Sequence, residues 1–272
     1  MLRTINQTGR PVALLAVRPY SILKSPDLHK ANWKQDTVYL YQFKRSPVVP
    51  NLSPFCLKIE TYLRANNIKH EIMPTWTIRS KEGKLPFIEL NGKQIPDSQF
   101  ILFHLAKHFK IEENLSTEQR GIARAIDRMI DTSTFWTLLY FRSVENSTNF
   151  MNPNVSGLPI PGFLTYFLAR KYQKAVGQKL KTEGTATRER HEIIEILRRD
   201  LQAIDDILGD KKFLLGVRPT TPDFSLFGHL ASTYYLPFRQ PVTDLLDDDF
   251  PRVREHIERM RTHYWSDWKR PQ

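Results

Sequence analysis

The chain has 272 residues, 40% hydrophobic and 25% charged, with 40 Lys and Arg against 29 Asp and Glu for a formal net charge of +11. That length accommodates two domains of roughly 100–200 residues each, the apolar share excludes disorder over the whole chain, and the positive excess favours anionic partners. The single cysteine, Cys56, excludes an internal disulfide framework and a CxxC zinc site, and no apolar run reaches the ~18 residues of a membrane-spanning helix.

Residues 1–35 read as a basic leader. From Met1 to Pro26 no acidic residue occurs, while Arg3, Arg10, Arg18 and Lys24 are spread along the segment and Pro11, Pro19 and Pro26 interrupt any long helix. Two readings fit: a disordered extension, or a mitochondrial transit segment.

From Thr37 the pattern turns to strand and helix. Thr37 to Phe43 is a β-branched and aromatic run and reads as a strand. After a Pro-punctuated loop, Ser53-Pro54 opens a helix with Ser53 as N-cap and Pro54 in the first helical position, running to about Ala65. Lys69 to Met73 reads as a second strand. Pro86 to Leu90 and Lys93 to Ile95, joined by Asn91-Gly92, read as a hairpin with a two-residue turn. Asp97-Ser98 opens a further helix.

Beyond Lys110 only helical patterns follow: Thr117 to Asn146, Pro161 to Lys181, Ala186 to Leu208, Thr221 to Tyr235 and Pro251 to Tyr264. The order points to an α+β layer joined to an all-α domain, with residues 36–112 as the first domain and 113–272 as the second. No internal repeat or low-complexity tract is present. The basic residues lie in no helix-turn-helix, RNA-binding-sheet or zinc-finger context, so nucleic acid is not an expected partner.

Asn51-Leu52-Ser53-Pro54-Phe55-Cys56-Leu57-Lys58, Lys84 to Gly92 and Pro96-Asp97-Ser98 resemble the failed axon connections family, a glutathione-transferase-like group related to metaxins and to nematode cadmium-responsive proteins. Leu208 to Lys211, Thr220 to Phe224, Phe227 to Leu230 and the ending Tyr264-Trp265-Ser266-Asp267-Trp268 are similar to that family's C-terminal part. The resemblance spans about residues 36–268. It implies a thioredoxin-like N-terminal domain followed by an all-α domain of the glutathione-transferase type.

The resemblance also implies a site for glutathione, bound as substrate or ligand with no metal. Ser53 then stands at a helix N-terminus facing a bound thiol, where a hydroxyl and the positive helix end favour a thiolate. As a plain N-cap it contributes on the order of 1 kcal/mol instead, and both roles stay open. Leu85-Pro86 resembles the thioredoxin-fold cis-proline, whose preceding residue pairs through its backbone with the glutathione peptide. Asp97-Ser98 matches the acidic-Ser pair that binds the γ-glutamyl end, with Asp where transferases often carry Glu. Cys56 and Tyr41 are secondary candidates, each with a packing role as the alternative. Tyr39 shares a sheet face with Tyr41. Thr220 to Asp223 resembles a capping box that folds the core, and His229 reads as a packing histidine.

Two functions are therefore expected. One is a glutathione-binding protein that conjugates the thiol to a hydrophobic electrophile in detoxification or stress response. The other is a non-catalytic, metaxin-like scaffold in membrane association or protein assembly, including a neuronal role by family analogy. An anionic membrane surface is the expected partner of the aromatic and basic run Phe163 to Lys181. A homodimer is a further expectation. The expected location is cytoplasmic, with a mitochondrial or membrane-associated one as the alternative.

Overall fold

A computed structural model describes residues 28–269. Most of the leader, and with it the targeting reading, lies outside the described residues. The N-terminal part carries β1 (Val38–Gln42), α1 (Pro54–Ala65), β2 (His70–Pro74), β3 (Phe87–Leu90), β4 (Lys93–Pro96) and α2 (Ser98–Phe109). The sheet order is β2-β1-β3-β4, with β2 parallel to β1 and the β3–β4 hairpin antiparallel. This is the expected thioredoxin-like arrangement.

Local chemistry sets the ends of these elements. Ser53 is the N-cap of α1, with Pro54 in the first turn, where its missing N–H costs nothing. Asn91 (φ 50°) and Gly92 (φ 77°) both take the left-handed backbone that the tight hairpin turn requires. Lys110 ends α2 in the same region (φ 54°).

Alternation along β1 sends Val38 and Leu40 into the main core and Tyr39 and Tyr41, with Phe87, into a small cluster on the outer face. That outer face is covered by the chain around His29, which the sequence reading places inside the leader. The backbone N–H groups of His29 and Lys30 donate to the Glu89 carboxylate at 2.6 and 2.9 Å, and that of Lys34 donates to the Tyr39 hydroxyl at 3.0 Å. Trp33 lies against Gly92, where a Cβ would come within 3.2 Å of its ring. From Leu28 onward the segment is therefore part of the sheet domain. Its anchor is backbone to a buried carboxylate, which leaves no hydrophobic period to read.

The second part is helical: α3 (Thr117–Met129), α4 (Phe135–Tyr140), α5 (Ser147–Met151), α6 (Pro153–Ser156), α7 (Gly162–Glu183), α8 (Arg190–Leu208), α9 (Thr221–Tyr234), α10 (Pro241–Asp244) and α11 (Pro251–Tyr264). The single helix expected over Thr117 to Asn146 runs instead as α3 and α4 interrupted by π-helical turns at Ile130–Thr134 and Phe141–Glu145. Hydroxyls supply the first irregularity: Thr132 donates to the Arg128 carbonyl and Thr137 to that of Thr134. Every residue of α9 from Pro222 to Thr233 is buried, and its Gly228 meets the first turn of α1 so closely that a Cβ would sit 2.5 Å from the Pro54 carbonyl oxygen. Asp223 fixes the start of α9, accepting from the Thr220 N–H and hydroxyl, the Leu214 N–H and His256 Nε2.

Candidate functional site

Strand register brings the predicted residues to one end of the sheet. Tyr41 pairs with Phe87 and Phe87 with Pro96. The exit of β1 toward Ser53, the entry of β3 after Leu85-Pro86, and the exit of β4 into Asp97-Ser98 therefore share one edge. Leu85-Pro86 is a cis peptide. Asp97 adopts φ 68°, and its Oδ1 accepts from the N–H groups of Gln99 and Phe100 at 2.9 and 3.4 Å. Its Oδ2 has no partner among the described residues, and neither has the buried Ser98 hydroxyl.

Ser53 is half-buried, and its Oγ accepts from the Cys56 N–H at 3.4 Å. This is the N-cap bond, and the same hydroxyl lies within side-chain hydrogen-bonding reach of the Cys56 thiol. Cys56 is fully buried; burial pushes its thiol up to about 12, against smaller opposing effects from Ser53 and the Phe43 backbone. A neutral, enclosed thiol is a core group, so the secondary role considered for Cys56 is withdrawn. Tyr41 lies on the outer face, stacked on Phe87 at 4.4 Å with its hydroxyl donating to Glu89 at 3.2 Å. Burial and then the Glu89 charge raise that phenol well above its ordinary value. Tyr41 is thus committed elsewhere, and its activating role is withdrawn as well.

The structure adds residues to which the sequence assigned no part in the site. Half-buried Phe55, Phe135 and Trp136 form an aromatic cluster on the first turn of α1, with Phe55 and Phe135 ring centroids 4.9 Å apart and Phe135 and Trp136 4.7 Å apart. Two of the three come from α4, whose placement depends on the π-turn before it. Arg142, buried in the second π-turn, donates from Nη1 to the Leu52 carbonyl at 2.9 Å, one residue before Ser53.

Below the site, the fully buried Lys58 lies between Asp127 and Asp131 at 3.1 and 2.9 Å. Gln99 donates to both carboxylates at 2.6 and 2.8 Å, and Ser225 donates to Asp127. His229 packs edge-on against Phe55 at 5.1 Å, its Nδ1 2.8 Å from the Ser225 carbonyl and its Nε2 3.6 Å from Asp131. Among the described residues no group of His, Cys, Asp or Glu is placed to hold a metal ion. A cleft of about 1220 Å³, lined by Tyr62, Glu113, Phe213, Arg218 and Arg259, opens at the C-terminal end of α1, away from Ser53.

Comparison with known proteins identifies the family and the fold. The glutathione S-transferase N-terminal domain family matches residues 54–149, and the glutathione S-transferase C-terminal domain family matches 197–260. The protein "Failed axon connections" of Drosophila melanogaster is 34% identical over 257 residues, 89% of this chain. The chain belongs to the failed axon connections family. It spans 61% of the length of that fly relative. The isoprene-epoxide glutathione S-transferase of a Rhodococcus species is 26% identical across 79% of this chain and 94% of its own. Metaxin-2 of Mus musculus is 21% identical across 87% of this chain and 91% of its own. Among solved structures, a glutathione transferase from Phanerochaete chrysosporium superposes with a TM-score of 0.59 at 13% identity, covering 84% of this chain and 97% of its own. A glutathione S-transferase of Ceriporiopsis subvermispora crystallised with glutathione gives 0.58 at 15% identity, covering 83% and 96%. At these identities the superpositions show the fold: a thioredoxin-like domain and an all-α domain of the transferase type.

Proposed function

We propose that the protein binds glutathione at the sheet edge that carries Ser53, Leu85-Pro86, Asp97 and Ser98. The supporting observation is the strand register, which gathers three segments far apart in sequence while leaving polar groups unused at two of them. The Ser98 hydroxyl and the N-terminus of α2 receive the γ-glutamyl carboxylate, and Asp97 Oδ2 receives its ammonium. The backbone of Leu85 pairs with the peptide, and Ser53 donates to the sulfur. Phe55, Phe135 and Trp136 offer an apolar surface to a hydrophobic electrophile, whose carbon the thiolate attacks as the leaving group departs with its bonding electrons; the thiol proton is released to solvent. Calorimetric titration of glutathione into the full chain tests the reading. Micromolar to low-millimolar binding that Ser98→Ala weakens by roughly tenfold, the scale of one charge-assisted hydrogen bond, supports it. No heat over that range from folded protein removes it.

A second reading, attachment to an anionic membrane, has its own support in α7. Thr165, Ala169 and Leu180 face inward, whereas Phe163 (77% exposed), Tyr166 (57%) and Phe167 (69%) stand in solvent at the start of the helix. Exposed Arg170, Lys171, Lys174 and Lys181 follow, and no acidic residue occurs from Asn146 to Thr182. Aromatic rings ahead of a basic collar suit a lipid interface with anionic headgroups. No described helix is long and apolar enough to cross a membrane. Cosedimentation with phosphatidylserine-containing vesicles, lost with Phe163→Ser/Phe167→Ser and absent with neutral vesicles, supports this reading; equal recovery with both vesicle types or with neither rejects it.

A further inference from the structure

The cleft at the C-terminal end of α1 has no part in either functional reading. It measures about 1220 Å³, and a second hollow of about 560 Å³ shares Tyr62 and residues 111–115 with it. Pockets for small ligands hold roughly 300–1000 Å³, so one small molecule leaves much of this groove empty. Its floor is aromatic. Tyr62 and Phe224 are each 2% exposed, their ring centroids 5.3 Å apart, and buried Phe213 lines the same cleft.

The polar groups along the groove are mostly donors. The Tyr62 hydroxyl has no partner among the described residues, although the residue is buried. Burial and then the Glu113 charge raise this phenol above its ordinary value, so it keeps its proton and donates. The backbone N–H groups of Glu112, Glu113, Asn114 and Leu115 have no acceptor among the described residues. Lys212, Arg218 and Arg259 also line the cleft, and none of them pairs with a carboxylate there. Arg259 gives Nη1 to the Lys212 carbonyl at 2.7 Å, while exposed Arg218 bonds nothing among the described residues. Glu113 is already engaged, accepting from the Thr221 N–H and hydroxyl at 2.6 Å each. Exposed Glu112 is then the one carboxylate lining the cleft that has no partner among the described residues.

A buried hydroxyl and a run of main chain left unpaired call for a ligand rich in acceptors, and cations without counter-charges call for an anionic one. The chain's own leader does not answer that description, since Met1 to Pro26 holds Arg3, Arg10, Arg18 and Lys24 and no acidic residue. We propose that this groove docks an acidic peptide segment of another protein. An aromatic or leucine side chain of the segment rests on the Tyr62 and Phe224 rings, its main-chain carbonyls accept from the 112–115 amides and Tyr62, and its carboxylates face Lys212, Arg218 and Arg259. Main-chain bonds supply affinity in such a mode, and the anchor and charges supply selectivity. The groove uses neither Ser53 nor α7, so it is independent of both functional readings.

Selection of a phage-displayed random dodecapeptide library on the full chain tests this, followed by fluorescence anisotropy of the selected peptides carrying a fluorescein label. The selected sequences are expected to combine Asp or Glu with an aromatic residue or Leu, and to bind more weakly at about 0.5 M salt. Arg218→Glu is expected to weaken binding about tenfold and Arg218→Lys to change it little. Tyr62→Phe is expected to weaken it about threefold or more, through one lost hydrogen bond. Arg218 is exposed and unbonded, so its reversal leaves the fold intact by circular dichroism and decides the matter even where Tyr62→Phe does not fold. No enrichment, selection of neutral or basic sequences, or acidic peptides that bind Arg218→Glu as tightly as wild type overturns the proposal. Displacement by glutathione also overturns it, because the peptides then sit at the Ser53 edge. So does a wild-type dimer in light scattering that Arg218→Glu dissociates, which makes a second copy of the chain the occupant.

Discussion

His229 and Asp131 face each other across 3.6 Å, and among the described residues neither Nε2 nor Oδ1 has a hydrogen-bond partner. The Ser225 carbonyl can only accept, so Nδ1 carries the proton and the Nε2 lone pair points toward a carboxylate. Burial, opposed by Asp131 and reinforced by Lys58, holds His229 down to about 4. Burial also tends to raise Asp131, but the Lys58 ammonium beside it outweighs burial and keeps that carboxyl below its usual range. A histidine depressed from 6.5 to about 4 binds fewer protons folded than unfolded across that interval. Stability therefore falls as pH drops from about 6.5 through about 4, by an amount on the order of 3 kcal/mol in full. Urea titrations at stepped pH should show this loss, and His229→Gln should lose less over the same window. A variant that follows the wild-type slope removes His229 as its source. Lys58 sets a second expectation. Replacing it with Met strands two buried carboxylates and should cost about 3–5 kcal/mol, read from the urea midpoint; a loss below about 1 kcal/mol contradicts a role in pairing.

At the scale of elements, α9 lies directly on α1, and Gly228 is the residue that permits it. A methyl group there meets the Pro54 carbonyl at 2.5 Å and the Lys58 N and Cβ at 3.0 Å, in the first two turns of α1. Gly228→Ala should destabilise the protein by about 1–3 kcal/mol through overpacking, although alanine is the better helix former. A stabilised variant shows that the two helices move apart at no cost. The contact also marks where sequence reading stops. Ser53-Pro54 and Asn91-Gly92 are legible because local chemistry decides them, and so are the α1 and α2 starts. The π-turns are not legible, since the Thr132-Ser133-Thr134 run continues a helical period while shifting the face that follows. That shift governs where Phe135, Trp136 and Arg142 lie, so half of the candidate site escapes any motif. Asp97 and Ser98 were readable as a cap, but that their free groups share an edge with Leu85-Pro86 depends on register between strands. For Tyr41 alternation gives the correct face, shared with Tyr39, but not the buried Glu89 that takes its hydroxyl.

Across the whole molecule, the segment that follows α11 closes back on α1. Trp265 is buried and donates from its indole to the Thr61 hydroxyl of α1 at 3.0 Å, with the Arg64 guanidinium 3.8 Å above its ring. Arg64 also holds Asp267 through two hydrogen bonds at 2.6 and 3.0 Å, and Trp268 donates to the Val48 carbonyl at 3.2 Å. Together with the Lys58 network and the Gly228 crossing, these contacts make α1 a shared core element of both domains. A domain that borrows its core face from another has no stable alternative when that face is removed. The full chain should therefore unfold in one transition, with intrinsic tryptophan fluorescence and far-ultraviolet circular dichroism superimposed in urea. Trp265→Ala should lower the midpoint of that single transition by the equivalent of about 3–5 kcal/mol rather than split it, because the lost packing belongs to both domains. Two resolved transitions in the wild-type protein, or a Trp265→Ala variant in which only the fluorescence midpoint moves, refute the shared core. In that case the sheet edge carrying Ser53, Asp97 and Ser98 folds independently of the helices that supply Phe135 and Arg142.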